Sequence, residues 1–300
     1  MDSDKIFITK FDTTAQYNAA KDSLAKPHVS LTKDDGKLHY MQKSVVTVLS
    51  NGHVIIGEGR FQILGTTEGI EEIEVDGVKL PSVTMYYPEE TSGFHLHTIK
   101  YTLSDPKVIP NNFLLDCDST YSVSLPNSVE TIGDNAFASL YSLSSFTMGN
   151  RVESIGSAAF SGCTGLSSIT LSENLVLIGD YAFRGVKLSG DVVIPNKVTT
   201  IGGNVFTLDS STTITLGSSV ASIGDYGISG VERIVSLATT APTITSTTFR
   251  AVAFNGTLYV PQGSSGYDVW MQNANYYLGV KGWTMDTIDN MENIVAGGMD

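Results

Sequence analysis

The chain has 300 residues, and its 41% hydrophobic content is typical of a folded protein rather than a disordered one. Its 31 acidic and 18 basic residues give a formal net charge of −13. A surface of that sign repels phosphate backbones and anionic headgroups, which argues against nucleic acid or a membrane as partner. No apolar run reaches membrane-spanning length, so no membrane insertion is predicted.

The first hundred residues predict a helix followed by short β hairpins. The helix is expected at Thr13–Ala25, with Asp12 as a possible N-cap and Pro27 closing it. Hairpin turns are expected at three dipeptides, whose Gly supplies the positive φ that a tight turn needs: Asp35-Gly36, Asn51-Gly52 and Asp76-Gly77. We therefore predict a helix and hairpin attachment region over residues 1–66, then a small β module or N-terminal cap over 67–104.

A pair of histidines gives the one spacing that resembles a metal site. His95 and His97 alternate along a predicted strand, Leu96–Leu103, and so share one of its faces. In a trimer, three such pairs around an axis would suit a transition metal. No further ligand cluster follows them, so a structural role is the preferred interpretation and neither a metal nor another cofactor is predicted.

A short sequence motif occurs five times in the following 160 residues. A branched aliphatic, two residues and then Ile-Gly recur at intervals of 23, 23, 23 and 22 residues. A bulky apolar residue follows each Ile by five positions: Phe137, Phe160, Phe183, Phe206 and Ile228. A fixed period of this length predicts a solenoid whose coils bury their apolar edges by stacking. We place this solenoid at residues 105–262.

Each coil also carries a short strand of alternating polarity. The strands are predicted at Ser145–Met148, Ser168–Leu171, Asp191–Ile194, Thr213–Leu216, Ile234–Leu237 and Thr257–Val260. They predict one parallel ladder with roughly 4.8 Å between coils, and so a rod on the order of 30 Å long. Their outward positions predict a flat face that binds a polymer or a protein, although a plain solvated sheet explains the same residues: Thr147, Thr170, Val193, Thr215, Ile234, Ser236 and Tyr259. Ile234 and Tyr259 are the least expected exposed residues among them, and therefore the preferred contacts.

The chain after the last coil is rich in aromatic residues, including both tryptophans. An open solenoid end exposes its apolar cross-section, so residues 263–300 are predicted to form a C-terminal cap and tail. The cap candidates are Tyr267, Val269, Trp270, Tyr276, Tyr277, Leu278 and Trp283.

The two cysteines are too few for a disulfide framework. Cys117 and Cys163 each follow a repeat phenylalanine closely, where a small buried thiol would pack, so both are predicted to be structural free cysteines. The sequence contains no nucleophile elbow, P-loop or zincin motif, and no enzymatic activity is predicted.

The repeat resembles the BspA-type leucine-rich repeat of bacterial surface proteins. The resemblance rests on Leu125–Phe137, which reads Leu-Pro-Asn-Ser-Val-x-x-Ile-Gly-x-x-Ala-Phe, and on Phe160–Leu171. It implies a mainly β, leucine-rich-repeat solenoid that is non-enzymatic and associated with adhesion and binding.

The flanks are similar to modules of gut-bacteriophage and prophage virion proteins. This second resemblance rests on motifs near Lys10, Lys26, Ile73 and His97, and on Thr240–Gly279. It implies a fibre, head-fibre or decoration protein whose N-terminal region contacts other virion proteins and whose solenoid meets a host glycan or protein, as a possible homotrimer. The N-terminus lacks a secretory signal, which favours a virion assembled in the host cytoplasm. The alternative is a bacterial cell-surface or secreted adhesin whose signal peptide has been removed.

Overall fold

The structure is a computed structural model that describes residues 103–115 and 120–290 in full, and before them the backbone of eight strands. The bounds of those strands are β1 Phe7–Lys10, β2 His28–Leu31, β3 Leu38–Met41, β4 Ser44–Val48, β5 His53–Ile56, β6 Ile70–Val75, β7 Val78–Lys79 and β8 Ile99–Leu103. The predicted helix at Thr13–Ala25 lies outside the described residues.

The three hairpins predicted in this region are confirmed by strand pairing. β2 and β3, β4 and β5, and β6 and β7 each run antiparallel. β1 pairs in parallel with β2, which the sequence did not predict. Local turn chemistry explains this difference, because a hairpin is specified by its own turn whereas a parallel partner is not.

The N-terminal sheet continues directly into the repeats. The next strands of the chain are β9 Val108–Ile109, β10 Thr120–Ser124, β11 Thr131–Ile132 and β12 Ser145–Thr147. β10 lies between β4 and β12 and pairs in parallel with both. The first ladder strand of the solenoid therefore has its outer edge covered by β4 instead of being left open.

The repeated Ile-Gly motifs form a parallel ladder that is separate from the one containing β10 and β12. It contains seven strands in the described part of the chain, namely β9, β11, β13 Ser154–Ile155, β14 Leu177–Ile178, β16 Thr200–Ile201, β19 Ser222–Ile223 and β22 Thr243–Ile244. Each strand pairs with the equivalent residues one coil away, so that Ile132 lies beside both Ile109 and Ile155. The predicted single ladder was too simple, since each coil contributes to more than one.

The alternating strands form the ladder that the sequence predicted, with one interruption. Beyond β12 it resumes as β15 Val192–Val193, β18 Thr213–Leu216, β21 Arg233–Ser236, β23 Thr257–Val260 and β24 Thr284–Thr287, all parallel. The predicted strand at 168–171 is wrong, because that segment has no strand pairing. A short third ladder joins β17 Phe206–Thr207 to β20 Ile228–Ser229.

Stacked aromatic rings fill the centre of the coils. The ring centroids of Phe137, Phe160, Phe183 and Phe206 lie 5.3, 5.2 and 5.5 Å apart in succession. All four side chains are at most 1% exposed, as are the ladder residues Ile132 to Ile201 that pack beside them. The sequence period therefore becomes one continuous apolar spine, as a repeat architecture requires.

The C-terminal cap is an additional coil rather than a detached lid. β24 extends the ladder beyond β23, and Tyr267, Trp270, Leu278 and Trp283 are buried against the spine. The Trp270 ring lies 4.9 Å from that of Phe249, and its Nε1 donates to the Pro242 carbonyl at 3.0 Å. The other three candidates stay outside the core: Tyr277 is half-buried, while Val269 and Tyr276 are exposed.

Candidate binding surfaces of the solenoid

The predicted sheet face is present over the first part of the ladder. Thr147 and Thr170 are exposed, Val193 is 60% exposed and Thr215 is half-buried. Thr147, Val193 and Thr215 alternate with the buried Phe146, Val192 and Ile214, as the pleat of a strand requires. Thr170 lies in the segment 168–171, which forms no strand. Four of the seven predicted residues therefore lie on an outward face and are accessible there.

The register of the later coils differs from the prediction by one residue. Ile234 pairs with Ile214 and Ser236 pairs with Leu216, so both side chains point inward and both are 0% exposed. The connection before β21 is shorter than in earlier coils, and this register leaves Arg233 exposed while Ile234 enters the spine. Assigning Ile234 and Ser236 to the outer face was wrong, because a one-residue slip exchanges the two faces of a strand.

Tyr259 keeps an outward position but offers little surface. It pairs with Val235, the outward residue of the preceding coil, and the two side chains are 8% and 5% exposed. Neither belongs to the apolar cluster of the spine. The accessible part of the sheet face therefore ends near Thr215.

A second group of outward side chains lies at the turns between the two main ladders. Tyr181 and Tyr226 each follow a ladder Ile by three residues, and Arg184 and Arg250 each follow a ring of the spine by one. The Arg184 guanidinium lies 5.5 Å from the Tyr181 ring centroid. Arg250 lies 5.6 Å from the Tyr226 ring and 4.7 Å from that of Tyr276 in the cap. We call these five residues the Arg–Tyr row.

The Arg–Tyr row was not predicted from the sequence, although four of its residues occupy visible columns of the repeat. Tyr181, Arg184, Tyr226 and Arg250 occupy two fixed positions of the repeat, so their columns are visible in an alignment of the coils. Tyr276 lies outside the repeat, and only the folding of the cap against the last coil brings it to Arg250.

Polar side chains at other turns are committed to holding neighbouring coils together. Asn111 Oδ1 accepts from the Asp134 amide at 2.8 Å, and Asp134 Oδ1 accepts from the Ser157 amide at 2.6 Å. Asp180 accepts from the amide of Gly203 in the same way, at 2.7 Å. Since these oxygens satisfy turn amides one coil away, they stabilise the stack and are not free ligands.

Burial shifts the pKa of two side chains away from their ordinary values. Burial raises the pKa of the Cys163 thiol to about 12, against a smaller opposing effect of the Leu140 backbone, so Cys163 is a structural cysteine as predicted. Burial also lowers the pKa of Lys281, whose Nζ donates to the Val252 carbonyl at 3.1 Å. Cys117 lies outside the described residues.

The remaining predictions about ligands fall partly outside the described chain. His95 and His97 are not among the described residues, so their metal site stays untested. Within 103–115 and 120–290, no group of three or more His, Cys, Asp or Glu side chains is placed to hold a metal ion. The same residues include no helix long and apolar enough to cross a membrane.

Comparison with known families identifies the repeat. Residues 107–254 match the BspA type leucine rich repeat region in six copies. The solenoid is a leucine-rich-repeat fold. The match begins with β9 and ends shortly after the last ring of the spine, Phe249, so the N-terminal sheet and the cap lie outside it. No curated protein matches the chain.

Among the solved structures that resemble the chain are three leucine-rich repeat proteins. A leucine-rich repeat protein of T. pallidum has 26% identity and a TM-score of 0.39, with 51% of this chain and 67% of that one covered. A leucine rich cell surface protein of Faecalibacterium prausnitzii has 24% identity and a TM-score of 0.41, with 57% and 45% covered. A leucine-rich repeat protein of Bacteroides ovatus has 14% identity and a TM-score of 0.35, with 88% and 66% covered.

Proposed function

We propose that this chain is a non-enzymatic binding protein of a bacterial cell surface, with the solenoid as its adhesive part. The observation that carries the proposal is the six-copy match to the BspA-type repeat over residues 107–254. The spine is filled by apolar side chains, so the groups available to a partner are those on the outside of the coils.

A virion role stays a prediction from the flanking motifs. The comparisons give it no support, and the N-terminal motifs near Lys10, Lys26 and His97 lie largely outside the described residues. Part of the C-terminal motif, Thr240–Gly279, forms the cap. This structural role is the same in a virion protein and in a cell-surface protein.

Surface labelling tests the localisation. Intact cells of the producing bacterium are treated with a membrane-impermeant biotin reagent, and the chain is then recovered and compared with a cytosolic marker. We expect the chain to be labelled on intact cells while the marker is labelled only after lysis. Labelling of the chain only after lysis, or its recovery mainly in purified phage particles, contradicts the proposal.

A pair of matched variants tests whether the sheet face makes the contact. Val193 is outward on one ladder and Leu177 is outward on the other, at 60% and 41% exposure. Beads coated with the full chain are scored for adhesion to host cells or matrix. We expect Val193→Glu to reduce adhesion severalfold and Leu177→Glu to leave it unchanged, because a carboxylate on the docking face must be desolvated. Equal adhesion by both variants excludes the sheet face.

A further inference from the structure

Three arginines, Arg184, Arg233 and Arg250, form no ion pair with a carboxylate among the described residues, and two of them lie over tyrosine rings. Lys107 and Arg151 both approach Glu130, at 3.0 and 3.6 Å. Arg184 and Arg250 instead lie over tyrosine rings, and neither forms an ion pair within the part of the chain that the structure describes. In a chain of net charge −13, these two exposed arginines without an ion pair form a local positively charged surface.

Contact with the rings restrains both guanidinium groups while leaving donors available. A guanidinium that packs its flat face on an aromatic ring keeps N–H groups at its edge for a carboxylate. Arg250 is held most firmly, since it contacts two rings and its Nη1 donates to the Tyr226 hydroxyl at 2.6 Å. Less side-chain entropy is then lost when an anion binds.

The carboxylates nearest in sequence have other hydrogen-bond partners. Asp180 accepts from the Gly203 amide, and Asp225 accepts from the hydroxyl of Thr247 at 2.6 Å and from that of Thr245. These bonds orient the acids toward neighbouring coils. The two arginines therefore stay available to an external anion.

The two arginines stand at the ends of a line that crosses four consecutive coils. Thr207 and Ser229 occupy the equivalent positions of the two coils between them and pair with each other in the short third ladder. Three coil steps of roughly 4.8 Å separate Arg184 from Arg250 by about 14 Å. The line thus offers a cation, two hydroxyl groups and a second cation, with the tyrosines beside it.

We propose that the Arg–Tyr row binds a linear polysaccharide that carries widely spaced carboxylates. Each guanidinium forms paired hydrogen bonds with one carboxylate, sugar hydroxyls bond to Thr207 and Ser229, and sugar rings pack on the exposed faces of Tyr181 and Tyr276. The inference rests on the proposed binding function and adds a second contact, separate from the sheet face, with a ligand of stated chemical class.

The proposed ligand differs from nucleic acid in having a much lower density of negative charge. Double-stranded DNA carries about one charge per 1.7 Å, and its affinity comes from neutralising many phosphates together. Two arginines in a chain with 31 acidic residues do not offset that repulsion. A polymer with one carboxylate per disaccharide has few charges to repel and places neutral sugars against the hydroxyl groups.

Binding of defined oligosaccharides to the full chain tests the proposal. The probe is a hyaluronan oligosaccharide, in which N-acetylglucosamine alternates with glucuronate, and a chitin oligosaccharide of equal length is the neutral comparison. We expect hyaluronan to bind at least tenfold more tightly than chitin. The double variant Arg184→Gln/Arg250→Gln is expected to lose at least tenfold in affinity and most of its dependence on salt.

The matched control is Arg151→Gln, which removes an exposed arginine that already lies beside Glu130. It is expected to bind hyaluronan as the parent does, and equal melting temperatures establish that the variants are folded. Absence of hyaluronan binding, equal binding of chitin, or an equal loss in the control overturns the inference. Surface labelling of the chain is measured independently, so a failed glycan assay leaves the proposed localisation standing.

Discussion

One backbone position of every regular coil has a left-handed conformation. It lies three residues after the ladder Ile, where φ is between 52° and 60° in six coils, at Asn112, Asn135, Ala158, Tyr181, Asn204 and Tyr226. Asn tolerates this region because its side chain bonds locally, whereas other residues with a Cβ are strained there by roughly 1 kcal/mol. The same column therefore contains both well-suited and strained residues.

Replacing Ala158 by Asn is expected to stabilise the protein by about 0.5–1 kcal/mol, because it relieves that strain. The measurement is the free energy of unfolding in urea. Ala221→Asn is the control, since Ala221 is exposed and has no positive φ. A gain of equal size in both variants, or a loss at Ala158, contradicts the explanation.

Cys163 is expected to resist thiol reagents as long as the coil is folded. With a pKa of about 12 instead of 9.0, its thiolate fraction at pH 8 falls about a thousandfold. The Cys117→Ser variant isolates this thiol, and its rate of reaction with a chromogenic disulfide is measured with and without urea. Reaction at the unfolded rate in native buffer contradicts burial of the thiol.

The residue scale also shows where sequence reasoning failed. The polar–apolar alternation of the sequence aligns Ile234 with Thr213 and places it outside, whereas the backbone pairs Ile234 with Ile214. Pairing of backbone amides, not the number of residues, decides the register. Phe146 and Ile214 are buried as predicted, because their coils keep the regular spacing.

At the scale of the elements, coils are joined by side chains as well as by ladders. Asp225 accepts hydroxyl hydrogen bonds from Thr245 and Thr247 of the following coil, and these bonds lower the pKa of its carboxyl. A lowered pKa means that the contribution to stability is complete above the unfolded pKa of about 3.9 and is lost as the pH falls through the lower folded value.

We therefore expect the melting temperature of the parent chain to fall on acidification below about pH 4 more steeply than that of Asp225→Asn. Asp191→Asn, at an exposed aspartate on the outer side of the same rod, is the control and is expected to follow the parent. Identical acid profiles for all three chains would show that the bonds between Asp225 and the two threonines contribute nothing to stability.

At the scale of the whole molecule, chain outside the regular repeat adjoins the stacked coils at both ends. β4 pairs with the first strand of the alternating ladder, and the cap adds β24 and the buried rings of Trp270 and Trp283 at the other end. Because each coil contacts only its neighbours, a substitution that destabilises one end lowers the stability of each successive coil by a smaller amount.

Trp270→Ala is expected to destabilise the C-terminal coils by about 3–5 kcal/mol, since it opens a cavity and removes the donor to Pro242. Hydrogen exchange is measured along the chain. We expect the increase in exchange to be largest near Phe249 and to diminish toward Phe137, while Trp270→Phe gives a smaller effect with the same gradient. A uniform increase contradicts stepwise coupling between coils.

The sequence by itself determined the period, the apolar column and the three N-terminal hairpins, because each depends on residues close together or at a fixed interval. Only the tertiary structure decided the second ladder, the register of β21 and the meeting of Tyr276 with Arg250. These features follow from which backbone edges and side chains come together after the coils have stacked. A periodic pattern specifies what each coil buries, whereas contacts between unequal coils and the cap depend on the path of the whole chain.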